Sequence, residues 1–252
     1  DQITRLVLAP DSTFLGALMD TFAQAEDLED TESLHNLFRV VRALIMLNEG
    51  SLIEMLVGDD LVESTLGALE YDPETPGSRI KHRHFLQKQA TFKQVVPIGN
   101  DQVVSKIHQT FRVGYLKDVV LARVLDDAVY STLGSIMLCN YVEILTAFQQ
   151  DSDVLPAVFD KLKSLPPTSP EWMDLLLFLQ EVCTQAKHLH VQQRASFYNT
   201  LVRLGLLDII TTSLQVGRDG GAPKEGLGAS DECAGPGARA GAARSDSAAD
   251  AA

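Results

Sequence analysis

SLHNLFRVVRALIML, residues 33–47, sets Leu34, Leu37, Phe38, Val41, Leu44, Ile45 and Met46 three, four and seven residues apart. An α-helix turns once every 3.6 residues, so this spacing gathers the apolar side chains on one face that must be buried. Asn48-Glu49-Gly50 punctuates the end of that helix, and SLIEMLVG (51–58) reads as a second one. A third is expected from Asp60 to about Leu69, with Asp59 or Asp60 as its N-cap. It closes at Tyr71-Asp72-Pro73, because a proline disfavours helix at the residue before it.

The same periodicity extends from residue 3 to 216, and aromatics supply only 6% of the chain, which favours helix-on-helix packing over a β-sandwich. A weak internal similarity supports a repeat architecture. Ile45, Glu54 and Asp59 in one block answer to Ile136, Glu143 and Asp151 in another, about two units of an armadillo or HEAT repeat further on. The spacing predicts an all-α, armadillo/HEAT-like helical solenoid segment over 1–216, built of helix pairs that close their cores by stacking. Ser169-Pro170 predicts a capped start for a helix over 171–186, and Gly205 a break between two short helices in 192–215. Residues 217–252 hold 8 Gly, 11 Ala and one large aliphatic, Leu227. Such a tail is expected to be disordered, having too little apolar surface to offset its ordering entropy. A chain that opens at Asp1 in mid-pattern is expected to be a fragment of something longer.

Charge is unevenly distributed. The chain carries a net −13, yet no acid lies between Glu74 and Asp101, and the stretch from Arg79 to Lys117 has eight Lys/Arg against Asp101 alone. A pI near 4.8 argues against generic nucleic-acid binding, which needs a basic surface. A solvated face is the bland reading of the basic run. Phe85, Phe92 and Phe111 interleave with the cations, however, and aromatic anchors ringed by positive charge suit an interface with an acidic partner. The residues singled out for partner contact are Tyr71, Asp72, Arg79, Lys81, His82, Arg83, His84, Lys88 and Lys93.

No catalytic constellation is present: GxGxxG, P-loop, GxSxG and HExxH patterns are all missing. The pairs His82/His84 and His188/His190 look metal-like, but residues two apart on a helix point to different faces and no third ligand stands at useful spacing. No metal or other cofactor is expected. Cys139 and Cys183 lie in apolar helical pattern and are expected as small buried thiols, and three widely spaced cysteines fit a reducing compartment better than a disulfide framework. No run is read as long enough to span a membrane.

The strings EDLEDTESLHNLF (26–38), LEYDPETPGSRIKHRHFL (69–86), FKQVVPI (92–98) and KIHQTFRVGYLKDVVL (106–121) resemble, in order and spacing, the central domain of the protein phosphatase 4 regulatory subunit 3 family, the SMEK or Falafel type. The resemblance covers about residues 1–216. It implies an armadillo-like region of a non-catalytic regulatory and scaffolding subunit, located in nucleus and cytoplasm. Such a subunit joins a phosphatase catalytic subunit and a second regulatory subunit and directs them to phosphoprotein substrates. The family's N-terminal peptide-reading domain has no counterpart in these residues, so that activity is not carried over. The phosphatase metal motifs GDxHG, GDxxDRG and GNHE are likewise missing, as a regulator implies. The competing expectation is a general α-solenoid adaptor unrelated to phosphatases.

Overall fold

The computed structural model describes residues 2–9, 11–74, 80–90, 92–151 and 153–219. Among them there are helices and no strands, so the all-α expectation holds. The helices are α1 (Gln2–Val7), α2 (Phe14–Asp27), α3 (Thr31–Met46), α4 (Gly50–Leu56), α5 (Val62–Ala68), α6 (His82–His84), α7 (Asp101–Tyr115), α8 (Asp127–Gln150), α9 (Val154–Ser164), α10 (Pro170–Gln185), α11 (Val191–Leu204) and α12 (Leu206–Asp219). Single π-helical turns extend α6 through Phe85–Gln89 and α7 through Leu116–Val120. The predicted tail begins within α12, which runs to Asp219, and residues 220–252 lie outside the described residues.

The described residues form two compact units, one from 2–92 and 108–137 and the other from 93–107 and 138–219. In the first, α2 packs on α3, α3 on α4, and α5 on α2, α3 and α6. Its interior holds the stripe read from 33–47, with Val41 and Ile45 inaccessible beside Leu52, Ile53, Leu56 and Leu66. In the second, α9 packs on α10, α11 and α12 around Val158, Phe159, Trp172, Leu179 and Phe197. The Trp172 indole N–H donates to the Leu162 carbonyl at 3.1 Å, so this large buried ring leaves no donor unsatisfied. Each unit therefore consists of neighbouring helices closing on one another, as an armadillo/HEAT-like chain requires.

Local expectations divide. Asn48 takes a left-handed φ of 58° and ends α3 where the punctuation placed it. The Ser169 hydroxyl accepts from the Trp172 amide with Pro170 in the first turn of α10. Gly205, at φ 110°, separates α11 from α12. The α5 cap is a correction: α5 begins at Val62, and the Asp59 carboxylate pairs with Arg112 at 2.7 Å instead. The internal similarity also breaks down locally. Its first block is split at Asn48, whereas the second is one continuous helix, α8, in which Asn140 is buried and accepts from Lys106 Nζ at 3.0 Å. By length and composition α8 could cross a membrane, contrary to the sequence reading; in the fold one side of it is buried, with Val129, Leu133 and Asn140 inaccessible. Cys139 is exposed rather than buried, and Cys183 is half-buried, its thiol pushed up by that burial.

Candidate functional site

The basic segment enters the described structure at Ile80. Arg79 lies outside the described residues, as do its neighbours 75–78. Lys81 precedes the short helix α6, so His82 and Arg83 turn inward while His84 faces solvent. Arg83 is the centre of the inward side. Its guanidinium bonds both oxygens of Glu26, with Nη1 2.9 Å from Oε2 and Nη2 2.6 Å from Oε1, and Nη2 also reaches Glu70 Oε2 at 3.0 Å. The Arg83 backbone N–H donates to the second Glu70 oxygen at 2.9 Å. Tyr71 completes this side by donating its hydroxyl to Glu26 Oε1 at 2.7 Å.

Burial makes the arrangement consequential. The Glu70 side chain is only 3% exposed and that of Arg83 26%. Removing a carboxylate from water costs several kcal/mol unless an opposite charge and good hydrogen bonds compensate, and only arginine presents a planar fork for two carboxylates at once. The guanidinium carbon also lies 5.7 Å from the centre of the Phe22 ring. Bonding to Glu26, opposed by desolvation and assisted by Glu70, holds the Arg83 proton more firmly than usual. Gly67 provides the room: a Cβ there would stand 2.9 Å from Phe22 Cζ and 3.0 Å from Arg83 Cζ and Nε.

Beside this cluster, His82 is buried and its Nδ1 lies 2.9 Å from the Tyr115 hydroxyl. Burial lowers the His82 pKa, with the charge of Glu70 working against it, so the ring is neutral near pH 7. Burial, aided by Glu70, pushes the Tyr115 phenol up to about 12. Phe85 stacks on Tyr115 with ring centres 4.8 Å apart, and Phe111 stacks on it at 6.4 Å. Phe92 meets His108 edge-on. The three phenylalanines taken as interface anchors are each half-buried and make ring contacts within the chain.

Most of the other cations are also internally matched. Arg112 pairs with Asp59 and donates to the Val57 carbonyl at 3.2 Å. Lys117 sits 2.7 Å from Asp118 and 4.3 Å from the centre of the Tyr130 ring. In the second unit, Lys93 pairs with Asp174, and Lys106 stands 3.5 Å from Glu143. Of the residues singled out from sequence, the fold brings Tyr71, His82 and Arg83 together and sets Lys93 apart with Asp174. Asp72 accepts from the Glu74 amide at 2.9 Å in the turn that follows α5. Lys81, His84 and Lys88 are exposed, and their side chains make no hydrogen bond or ion pair to a described residue. Glu26, Glu70 and Gly67 were missed. The signal available for them was slight: Glu70 stands beside the Tyr71-Asp72 motif, but nothing in the sequence ties it to a residue thirteen positions on.

Neither His-x-His pair forms a chelate. His82 is committed to Tyr115, and His188 stacks on Tyr141 at 6.4 Å. No group of three or more His, Cys, Asp or Glu suited to a metal occurs among the described residues.

This geometry defines a class: an all-α helical protein whose charged residues tie helices together through partly exposed ion pairs. Comparison with known sequences sharpens it. Residues 1–220 match the family described as phosphatase 4 regulatory subunit 3, and the chain belongs to that family. It is 40% identical over 200 residues to Suppressor of Mek1 of Dictyostelium discoideum, an alignment covering 79% of this chain and 19% of that protein. It is 38% identical over 205 residues to serine/threonine-protein phosphatase 4 regulatory subunit 3 of Drosophila melanogaster, covering 80% and 21% respectively. An uncharacterized protein of Schizosaccharomyces pombe is 34% identical over 208 residues, covering 82% and 25%. The chain thus spans about a fifth to a quarter of the length of these relatives. No solved structure matches it.

Proposed function

We propose that this chain is part of a non-catalytic regulatory and scaffolding subunit of a serine/threonine phosphatase 4 complex, holding the catalytic subunit and a second regulatory subunit near phosphoprotein substrates. The observation that carries the reading is the family match over residues 1–220, with a Drosophila relative that bears the name of that subunit. The mechanism is tethering: two partners held on one protein meet at a higher effective concentration than free ones, without chemistry from the tether. Localisation to nucleus and cytoplasm is part of the same proposal, and rests on the family resemblance. Partner contact is proposed on the outward members of the basic segment, Lys81, His84 and Lys88, since Arg83 and His82 are engaged within the fold.

The test is affinity purification of the tagged chain from cells followed by immunoblotting. Retention of the phosphatase 4 catalytic subunit supports the reading. A chain that carries other cargo but no phosphatase subunit favours the general adaptor instead.

A further inference from the structure

We infer that the exposed strip formed by Ile80, Lys81, His84 and Lys88 is a docking site for an acidic peptide segment, rich in Asp and Glu, of a protein partner. This rests on the partner-contact reading above and adds the chemistry of what is bound. Of the cations between Arg79 and Lys117, Arg83, Lys93, Lys106, Arg112 and Lys117 each stand against a carboxylate of this chain. Their charge is thus met, wholly or in part, within the chain. Lys81 and Lys88 have no such counter-charge among the described residues, although the chain as a whole is strongly acidic.

The strip is also fixed in place. Positions 81, 84 and 88 are three and seven residues apart, so the run through α6 and its π-helical turn carries them on one side. Contacts made by the residues between them fix the segment: Arg83 with Glu26 and Glu70, His82 with Tyr115, and Phe85 stacked on Tyr115. Cations held on an ordered turn lose less freedom on binding than cations on a loose loop. Ile80, 58% exposed at the head of the strip, offers an apolar contact beside the charges. Among the described residues, Glu63 accepts from Gln87 Nε2 at 3.0 Å and borders the strip. A carboxylate-bearing peptide is the complement of such a surface.

The experiment measures fluorescence anisotropy of a short fluorescein-labelled poly-glutamate peptide titrated with the full chain. Three proteins are compared: wild type, Lys81→Glu/Lys88→Glu, and Arg123→Glu/Lys187→Glu. The second pair changes the net charge equally at exposed positions elsewhere, and circular dichroism checks that all three keep their helicity. The expected result is salt-sensitive binding weakened about tenfold in the first variant and little changed in the second. Equal weakening in both variants, binding unaffected by Lys81→Glu/Lys88→Glu, or no binding of poly-glutamate by wild type would overturn the inference. So would tighter binding of a single-stranded oligothymidylate than of poly-glutamate, which would point to nucleic acid. Phosphatase retention in the affinity purification is scored separately. Its loss from wild type defeats the phosphatase reading, whereas its presence with no peptide binding defeats only the acidic-peptide inference.

Discussion

Arg83 and Glu26, 57 residues apart in sequence, are joined side-on: each carboxylate oxygen receives one guanidinium nitrogen, at 2.6 and 2.9 Å. The pair ties the basic segment back to α2, and Glu70 extends it to the end of α5. A stretch whose charge suggests outward display is thus anchored by its own most central arginine.

Arg83→Met is therefore expected to destabilise the first unit by about 2–3 kcal/mol. That is somewhat less than the loss of a fully buried pair, because Arg83 and Glu26 keep partial contact with water while Glu70 does not. Arg83→Lys is expected to recover little, since an ammonium cannot bond two carboxylates through a planar fork. Urea unfolding followed by circular dichroism reads both, and a midpoint unchanged in Arg83→Met would contradict the assignment.

Gly67→Ala should also destabilise, by about 1 kcal/mol or more, even though alanine is the better helix former. The added methyl meets Phe22 and the tethered Arg83 side chain. In an Arg83→Ala background much of that penalty should vanish. Additive effects in the double mutant would show that Arg83 is not what Gly67 accommodates.

How much of this was legible beforehand depended on distance along the chain. The helices, the break at Asn48, the Ser169 cap and the Gly205 stop follow from residues within one or two turns of each other. The failures arose where a distant group redirected a side chain. Asp59 looks like a cap for α5 but faces Arg112. The candidate site divides in the same way. A count of charges located the basic segment, but which cations face inward depends on Glu26 and Glu70, whose proximity only the tertiary packing creates.

Stability should fall with acid partly through His82. Its folded pKa is lowered below the ordinary histidine value of 6.5, so the unfolded chain binds the proton more readily. Stability is full above that ordinary value and declines as pH falls through it toward the folded pKa. The groups facing the ring are Tyr115, stacked in turn against Phe85, and the charge of Glu70. His108 and His188 are shifted the same way and contribute to the total slope. His82→Phe should therefore make the loss of melting temperature between neutral and mildly acidic pH shallower, whatever it does to the melting temperature at neutral pH. An identical slope would remove His82 from the account.

Ser169→Ala is expected to cost about 1 kcal/mol, the usual value of an N-cap hydroxyl. Ser169→Asp should recover most of it, because a carboxylate caps as well and favours the positive end of a helix. Thermal melts of the two variants distinguish a cap from a merely packed serine, which aspartate would not rescue.

The division of the basic segment into an anchored side and a displayed side is tested most directly by comparing urea midpoints of wild type, Arg83→Glu and Lys81→Glu/Lys88→Glu. The account predicts a large drop for Arg83→Glu, which places a third carboxylate beside Glu26 and Glu70, and a midpoint within error of wild type for the lysine pair. Equal drops, or a larger one for the lysines, would contradict it.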